Sequence, residues 1–343
     1  MTPIRIAVAL SVSCLLAACA ASAMDALPKS PPVPGDNPMT PGRISLGKKL
    51  FFDPRLSSSG TVSCNSCHNV MEAGEDDRAS SVGIDGKRGA RSAPTVWNAA
   101  YLSVQFWDGR ASTLEEQAKG PLVNPIEMGM ADHRAVVRRI ASIPGYQSEF
   151  GQVFGGSDPV TIDNVAKAIA SYERTLVTPR SPVDRFLSGE RSALSPAAQR
   201  GMKLAENLGC TSCHSGPVFA GPALPVGQGF FMKFPVNAGT TYENKYRLCE
   251  DPGRFAVTKN PDDRNVWRVP MWRNVAITAP YFHNGSVATL DEAVRVMGKT
   301  QLGQDLTPLE TGDLVAFLDG LTGQFPEQTM PRLPAMPQRS AVQ

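Results

Sequence analysis

Two five-residue stretches decide how this chain is read: Cys64-Asn65-Ser66-Cys67-His68 and Cys210-Thr211-Ser212-Cys213-His214. In each, two thiols stand three positions apart and an imidazole follows at once. This spacing allows two thioethers to the vinyl groups of a haem, with the histidine reaching the iron from the same turn. Two covalent c-type haems are therefore expected, one held by Cys64, Cys67 and His68, the other by Cys210, Cys213 and His214. A zinc site built on the same cysteines is the alternative. A histidine directly after the second cysteine, twice, favours haem.

The motifs sit in a chain of 343 residues, long enough for two ordinary domains. Hydrophobic residues make up 42% and charged residues 19%, as in a globular protein. The formal net charge is only +2, with no long basic run, so nucleic-acid binding has no electrostatic support. Residues 1–23 read as an export signal: Arg5 is the positive start and Ile6 to Ala18 is apolar. Ala21-Ser22-Ala23 has the small-x-small form of a signal-peptidase site. Leu16-Ala17-Ala18-Cys19 resembles a lipoprotein box, in which Cys19 would carry a lipid anchor, and an uncleaved anchor is the third reading. The periplasm is the expected compartment. Of the seven cysteines, Cys14 and Cys19 belong to the signal and four to the motifs. Cys249 is left unpaired, so no disulfide framework is expected, and it reads as a buried thiol.

Residues 24–40 are Pro-rich without periodicity and read as a linker. Helix signals follow. Thr40-Pro41 starts a helix that carries Leu46, Leu50 and Phe51. Ser112 and Glu115 have the capping-box spacing. Val165, Ile169, Tyr172 and Leu176 make an amphipathic stripe. Ser195-Pro196 opens a helix that Gly209 closes before the second motif. Thr289 and Glu292 start one bearing Leu290, Val294 and Met297, expected to stop at Gly298. Thr307, Pro308 and Glu310 start a last helix that buries Leu314, Phe317, Leu318 and Leu321. Residues 215–270, rich in Gly and Pro, read as a long loop with little strand. The expected fold is mainly α: two cytochrome c-like haem domains packed together with long irregular loops. The N-terminal haem domain spans 41–178 and the C-terminal one 179–330, with the boundary near Thr178–Pro182.

Histidine is scarce, and this constrains iron ligation. Beyond His68 and His214 there are only His133 and His283. His133, beside the helix-capping Asp132, reads as a solvated surface residue. His283 reads as a structural group or a support behind a ligand. Methionine is the other common axial ligand. Met297 is a candidate by position, although core packing explains a methionine equally well.

Further segments resemble the bacterial diheme cytochrome c peroxidase family, which includes the MauG-type enzymes. They are Leu50-Phe51-Phe52-Asp53-Pro54-Arg55-Leu56, Ala93-Pro94-Thr95-Val96-Trp97-Asn98-Ala99, Gln105-Phe106-Trp107-Asp108-Gly109-Arg110 and Glu116-Gln117-Ala118-Lys119-Gly120-Pro121. Ile126-Glu127-Met128, Arg268-Val269-Pro270, Arg273-Asn274-Val275, Pro280-Tyr281-Phe282-His283-Asn284-Gly285 and Met297-Gly298 complete the set. The resemblance runs from about Pro41 to Pro326. It implies that His68 ligates a peroxidatic haem, with Glu127 and Gln117 facing its open side. It implies that His214 and Met297 ligate an electron-transferring haem and that Trp107 stands between the two. Thr278 and Pro280 would each offer a carbonyl to a calcium ion at the domain interface. A carboxylate such as Glu127 can take a proton from bound peroxide and return it to the leaving oxygen.

Two departures from the family pattern matter. Ile84 stands where typical members carry a histidine that ligates the resting peroxidatic haem, so that site is expected to be open and five-coordinate, as in MauG-type enzymes. Ser92 stands where the family usually has an asparagine donating to calcium. The resemblance therefore implies a peroxidase that reduces hydrogen peroxide to water with electrons from a small cytochrome c or cupredoxin. A high-valent state shared over both haems is expected to form directly from the ferric protein. A MauG-like oxidase of a protein residue and a non-enzymatic diheme electron carrier are the rival readings, and a homodimer is left open. Protein matured with the c-type haem machinery should carry two covalent haems by mass spectrometry, and one haem or stoichiometric zinc would overturn the reading of the motifs.

Overall fold

The computed structural model describes residues 24–335. The export signal with Cys14 and Cys19 lies outside the described residues. Eleven α-helices are assigned among them. In the first half, α1 is Pro41–Phe52, α2 Leu114–Val123, α3 His133–Ala141, α4 Pro144–Phe154 and α5 Ile162–Glu173. In the second, α6 is Pro182–Leu187, α7 Pro196–Asn207, α8 Thr241–Lys245, α9 Phe255–Thr258, α10 Leu290–Leu302 and α11 Pro308–Asp319. Two short strands, β1 (Phe231–Lys233) and β2 (Val266–Arg268), pair antiparallel with Phe231 opposite Arg268. The mainly α fold is as expected.

Each half is built on a close helix crossing. In the first, Gly47 of α1 meets α5, and a Cβ there would lie 1.8 Å from the Ala168 carbonyl oxygen. In the second, Gly201 of α7 meets α11, and a Cβ would lie 1.8 Å from the Asp313 carbonyl oxygen. Around the first crossing Leu46, Leu50, Phe51, Ile169 and Tyr172 form a core, with Phe51 edge-on to Tyr172 at 5.3 Å. Around the second, Ala198, Phe219, Leu314, Phe317 and Leu321 do the same. Both motifs form short 3-10 turns, at Cys64–Ser66 and Cys210–Ser212.

The caps are largely those read from sequence. The Thr40, Ser195, Thr289 and Thr307 side chains each accept from a first-turn N–H. One is shifted: Thr113, not Ser112, caps α2 and accepts from Glu116 N–H. That leaves Glu115 free to turn inward onto Arg174 at 2.7 Å. α10 does not stop at Gly298 but runs to Leu302, where Gly303 takes the left-handed conformation at φ 69°. Gly298 is kept inside the helix because Leu306 packs against it.

The halves also share a repeat that is clearest in backbone conformation. Asn98 and Asn274 are left-handed at φ 62° and 63°, and Phe106 and Phe282 at 68° and 70°. Gln105 bridges to Ala111 as Tyr281 does to Val287, and Thr113 and Thr289 cap α2 and α10. Every pair is separated by 176 positions (98 to 274, 106 to 282, 113 to 289). The repeats are crossed by reciprocal bonds. Ser92 N–H donates to the His283 carbonyl at 2.8 Å, and Arg268 N–H to the Trp107 carbonyl at 2.9 Å. Thr178, in the boundary stretch, is buried between Asn98 (2.7 Å) and Asn274 (3.0 Å).

The Pro-rich segment 24–40 is not a free linker but runs as an extended strap fixed to both halves. Met24 is 2% exposed in the second core. Leu27 N–H donates to Asp184 at 2.8 Å, the Pro28 carbonyl accepts from Tyr101 at 2.6 Å, and buried Asn37 donates to Glu115 at 2.7 Å. Proline has no N–H but keeps its carbonyl, so such a segment stays extended while still accepting hydrogen bonds. Replacing Gly47 or Gly201 by alanine should overpack its crossing and cost about 1–3 kcal/mol, read as a lower denaturant midpoint of the holoprotein at unchanged haem content.

Candidate functional site

Both histidines of the motifs are prepared in the same way. His68 N–H bonds to the Cys64 carbonyl and His214 N–H to the Cys210 carbonyl, each at 3.0 Å. The ring Nδ1 of His68 donates to the Pro94 carbonyl and that of His214 to the Phe219 carbonyl, each at 3.0 Å. This fixes the tautomer and leaves Nε2 of each as the free ligand atom. Burial lowers both imidazole pKa values, that of His214 to about 4, so both rings are neutral as iron binding needs. The Trp272 ring lies flat on His214, centroids 4.1 Å apart and planes 15° apart, fixing its rotation.

Both motifs open onto one cavity of about 1290 Å³, larger than the roughly 300–1,000 Å³ of a single small-ligand pocket. His68, Cys67, His214, Cys210, Cys213 and Met297 all line it. Five buried polar atoms on its wall lack hydrogen-bond partners: Ser81 Oγ, Glu173 Oε2, Trp267 Nε1, His283 Nε2 and Ser286 Oγ. Orphaned polar atoms around a large apolar cavity mark a space shaped for a group with polar edges. The cysteines fit thioethers and not zinc. Burial pushes the Cys67 and Cys210 thiols up to about 11 and the Cys64 thiol higher still. A zinc ion would itself draw off the thiol protons, so the geometry is what speaks against it: among the described residues no three His, Cys, Asp or Glu side chains converge on a metal position.

From the first half, Gln117 and Pro121 of α2 line the cavity with Glu127 from the following loop. Glu127 Oε1 accepts from Asn124 Nδ2 at 2.8 Å. Burial raises its carboxyl pKa, with the Arg110 charge opposing. Ile84 is buried with its side chain against Gly129. Its N–H donates to the Glu127 carbonyl at 2.9 Å, so its segment braces the Glu127 loop. Pro121 precedes Met297 by 176 positions, the spacing of the repeat. Where the second half presents a thioether, the first presents a saturated ring that cannot bind iron.

Trp107 lines the cavity at the crossing of the repeats, its Nε1–H donating to the Ser92 carbonyl at 2.9 Å. Its ring stands 6.5 Å from His283, edge to face, and His283 stacks on Trp267 at 4.1 Å. Burial holds His283 down to about 4, hence neutral.

Residues 41–192 match the family described as di-haem cytochrome c peroxidase. The cytochrome c551 peroxidase of Nitrosomonas europaea is 44% identical over 303 residues, covering 88% of this chain and 86% of that protein. This chain belongs to the di-haem cytochrome c peroxidase family. As such it is an oxidoreductase, and the family implies two haem c groups. The peroxidase is also 44% identical to the cytochrome c551 peroxidase of Pseudomonas aeruginosa, over 87% of this chain and 84% of that one. In structure it resembles a MauG-like protein associated with microbial copper homeostasis, with TM-score 0.75 and 32% identity, covering 87% of this chain and 95% of that one.

Of the site residues expected from sequence, all but Cys64 lie on the cavity wall, including Ser92, Thr278 and Pro280, and Cys64 packs against the first core. Two assignments away from the site change. Cys249 is exposed, its thiol donating to Glu243 at 3.1 Å, and is not a core thiol. His133 is half-buried and its Nε2 bonds to the Lys119 carbonyl at 3.1 Å, so it is a structural tie and not a solvated side chain. Sequence reading missed Glu173, whose buried carboxyl is pushed up to about 8 by desolvation. Its one signal was an acid directly after the apolar stripe of α5. In the haem-loaded ferric protein, Met297→Ala should convert a low-spin haem signal to high spin by EPR; retention of that signal would remove Met297 from the ligand set.

Proposed function

We propose that this protein reduces hydrogen peroxide to water at the His68 haem, drawing electrons through the His214 haem from a small c-type cytochrome or cupredoxin. The relatives named cytochrome c551 peroxidase support both substrate and donor class. The observation that carries the reading is the asymmetry of the two halves: the first contributes Pro121 and Glu127 to the cavity wall, and the second contributes Met297 at the position matching Pro121. An electron carrier without catalysis would need a ligand on both irons, and Pro121 offers none.

The residues have separable tasks. When bound, the haem would supply the two-electron chemistry that cleaves the peroxide O–O bond, and electrons entering through the second haem would restore it. Glu127 takes the proton from the near oxygen and delivers it to the far one, which leaves as water. Its raised pKa brings it nearer the working pH, where a carboxyl both accepts and releases a proton. Gln117 orients the peroxide by donating a hydrogen bond. Asn124 holds the Glu127 carboxyl in register. Trp107 lies where an electron can pass between halves.

Ile84 and Pro121 together support a resting site that is already open, so the fully ferric protein reacts without prior reduction. The same openness supports the second reading, oxidation of a protein residue, and the MauG-like structural relative belongs with it. The export signal supports the periplasm, with Cys19 the anchor point if lipidation occurs. The Ser92 carbonyl is engaged by Trp107 and its hydroxyl donates to the Arg78 carbonyl at 3.5 Å. A calcium ion at this junction would draw on Ser92, Thr278 and Pro280, which share the cavity wall.

Rapid mixing of the fully ferric protein with peroxide tests the function. The absorption spectrum should change at once, and Glu127→Gln should slow that change by about 10²–10⁴-fold at intact haem loading. A ferric protein that stays inert until one haem is reduced would overturn the open site. A Glu127→Gln rate within about threefold of the parent would return Glu127 to a structural role.

A further inference from the structure

Arg55, Arg174, Arg268 and Arg273 are the buried arginines among the described residues. Three have a carboxylate partner: Arg55 with Asp53 at 2.5 Å, Arg174 with Glu115 at 2.7 Å and Arg273 with Asp184 at 2.8 Å. Arg91 and Arg110, on the cavity wall, are paired as well, both with Asp108. Arg268 is the exception. It is 5% exposed and lines the cavity, yet no carboxylate among the described residues lies within ion-pair distance. Its Nε donates to the Phe106 carbonyl at 3.1 Å and its Nη1 to the Val269 carbonyl at 3.1 Å. Nothing receives its Nη2.

A buried cation without an anion is costly, and proteins keep one where a partner arrives from elsewhere. The guanidinium fork suits a carboxylate in particular. The family implies that this cavity receives two haems, and their propionates are the anions they bring. We propose that Arg268 binds a haem propionate and ties it to the Trp107 segment. The tie is direct, because the same residue donates its backbone N–H to the Trp107 carbonyl and its Nε to the neighbouring Phe106 carbonyl. Within the repeat Arg268 stands opposite Ser92, 176 positions earlier. Both hold a crossing bond, but only the second half adds a charge. Arg268 is thus a positioning residue: it sets where one propionate lies relative to Trp107 and places a positive charge beside that haem. A nearby positive charge favours the ferrous state, so its loss should lower that haem's potential.

The inference rests on the two-haem reading, and the test separates them because haem content is measured first. Arg268→Gln and Arg268→Lys are prepared as holoproteins and shown by mass to carry two haems. Two readouts follow: the propionate-bending band in resonance Raman spectra and both midpoint potentials by spectroelectrochemical titration. In Arg268→Gln the band should shift and one midpoint fall. In Arg268→Lys, which keeps the charge but loses the fork, the band should shift while that midpoint stays closer to the parent's. If Arg268→Gln does not load both haems, Arg268→Lys decides alone on the band. A band and midpoints matching the parent's in a fully loaded variant would overturn the proposal; a parent lacking two haems would overturn the two-haem reading instead.

Discussion

The site depends on two reciprocal backbone hydrogen bonds, Ser92 N–H to the His283 carbonyl and Arg268 N–H to the Trp107 carbonyl. Each half holds its own histidine by its own loop. These crossed bonds, with the buried Asn98–Thr178–Asn274 contact and the Arg91–Asp251 ion pair at 2.7 Å, set how one motif faces the other. Between them sits Trp107, pinned at its carbonyl by Arg268 and at its indole by Ser92. If Trp107 carries an electron, as proposed, it must not wander, because transfer falls steeply with distance. Holding it at both ends by main-chain atoms makes its place a property of the backbone.

The two halves start from one plan and differ where chemistry requires it. Both use a glycine crossing, a 3-10 turn at the motif, and a left-handed asparagine and phenylalanine. At matching positions of the repeat one half carries Met297 and the other Pro121, and on the proposed function these are the axial positions of the two haems. A thioether completes an iron's coordination and favours its reduced form, which suits a site that passes electrons. A proline leaves room for a substrate, and Glu127 and Gln117 stand beside that room. On that reading, division of labour needs few changes on a shared backbone.

Much of this was legible in the sequence, for physical reasons that differ by residue. Cys-x-x-Cys-His is read directly because haem attachment fixes both residue type and spacing. Helices with an oxygen-bearing cap and an apolar stripe were read well, as at Thr40, Ser195 and Thr307. The cap of α2 was misplaced by one residue because Ser112 and Thr113 are equally good acceptors; the inward turn of Glu115 onto Arg174 decides, and that is a tertiary fact. α10 was cut short at Gly298 because glycine usually ends helices, whereas here it makes room for Leu306. The strap at 24–40 and the unpaired charge of Arg268 could not be read at all. Both depend on what lies across the fold, and local composition carries no trace of it.

The strap also orders events in time. Met24 shares a core with Phe317, and the Asp25 carbonyl accepts from Arg273, 248 positions further along the chain. Contacts of such sequence separation form late, because the intervening chain must first be compact. The described segment that is synthesised first is therefore seated last, after both halves exist to receive it. Its closing is a final step that locks an assembly already built, and its release would be the first step by which the halves are freed to part.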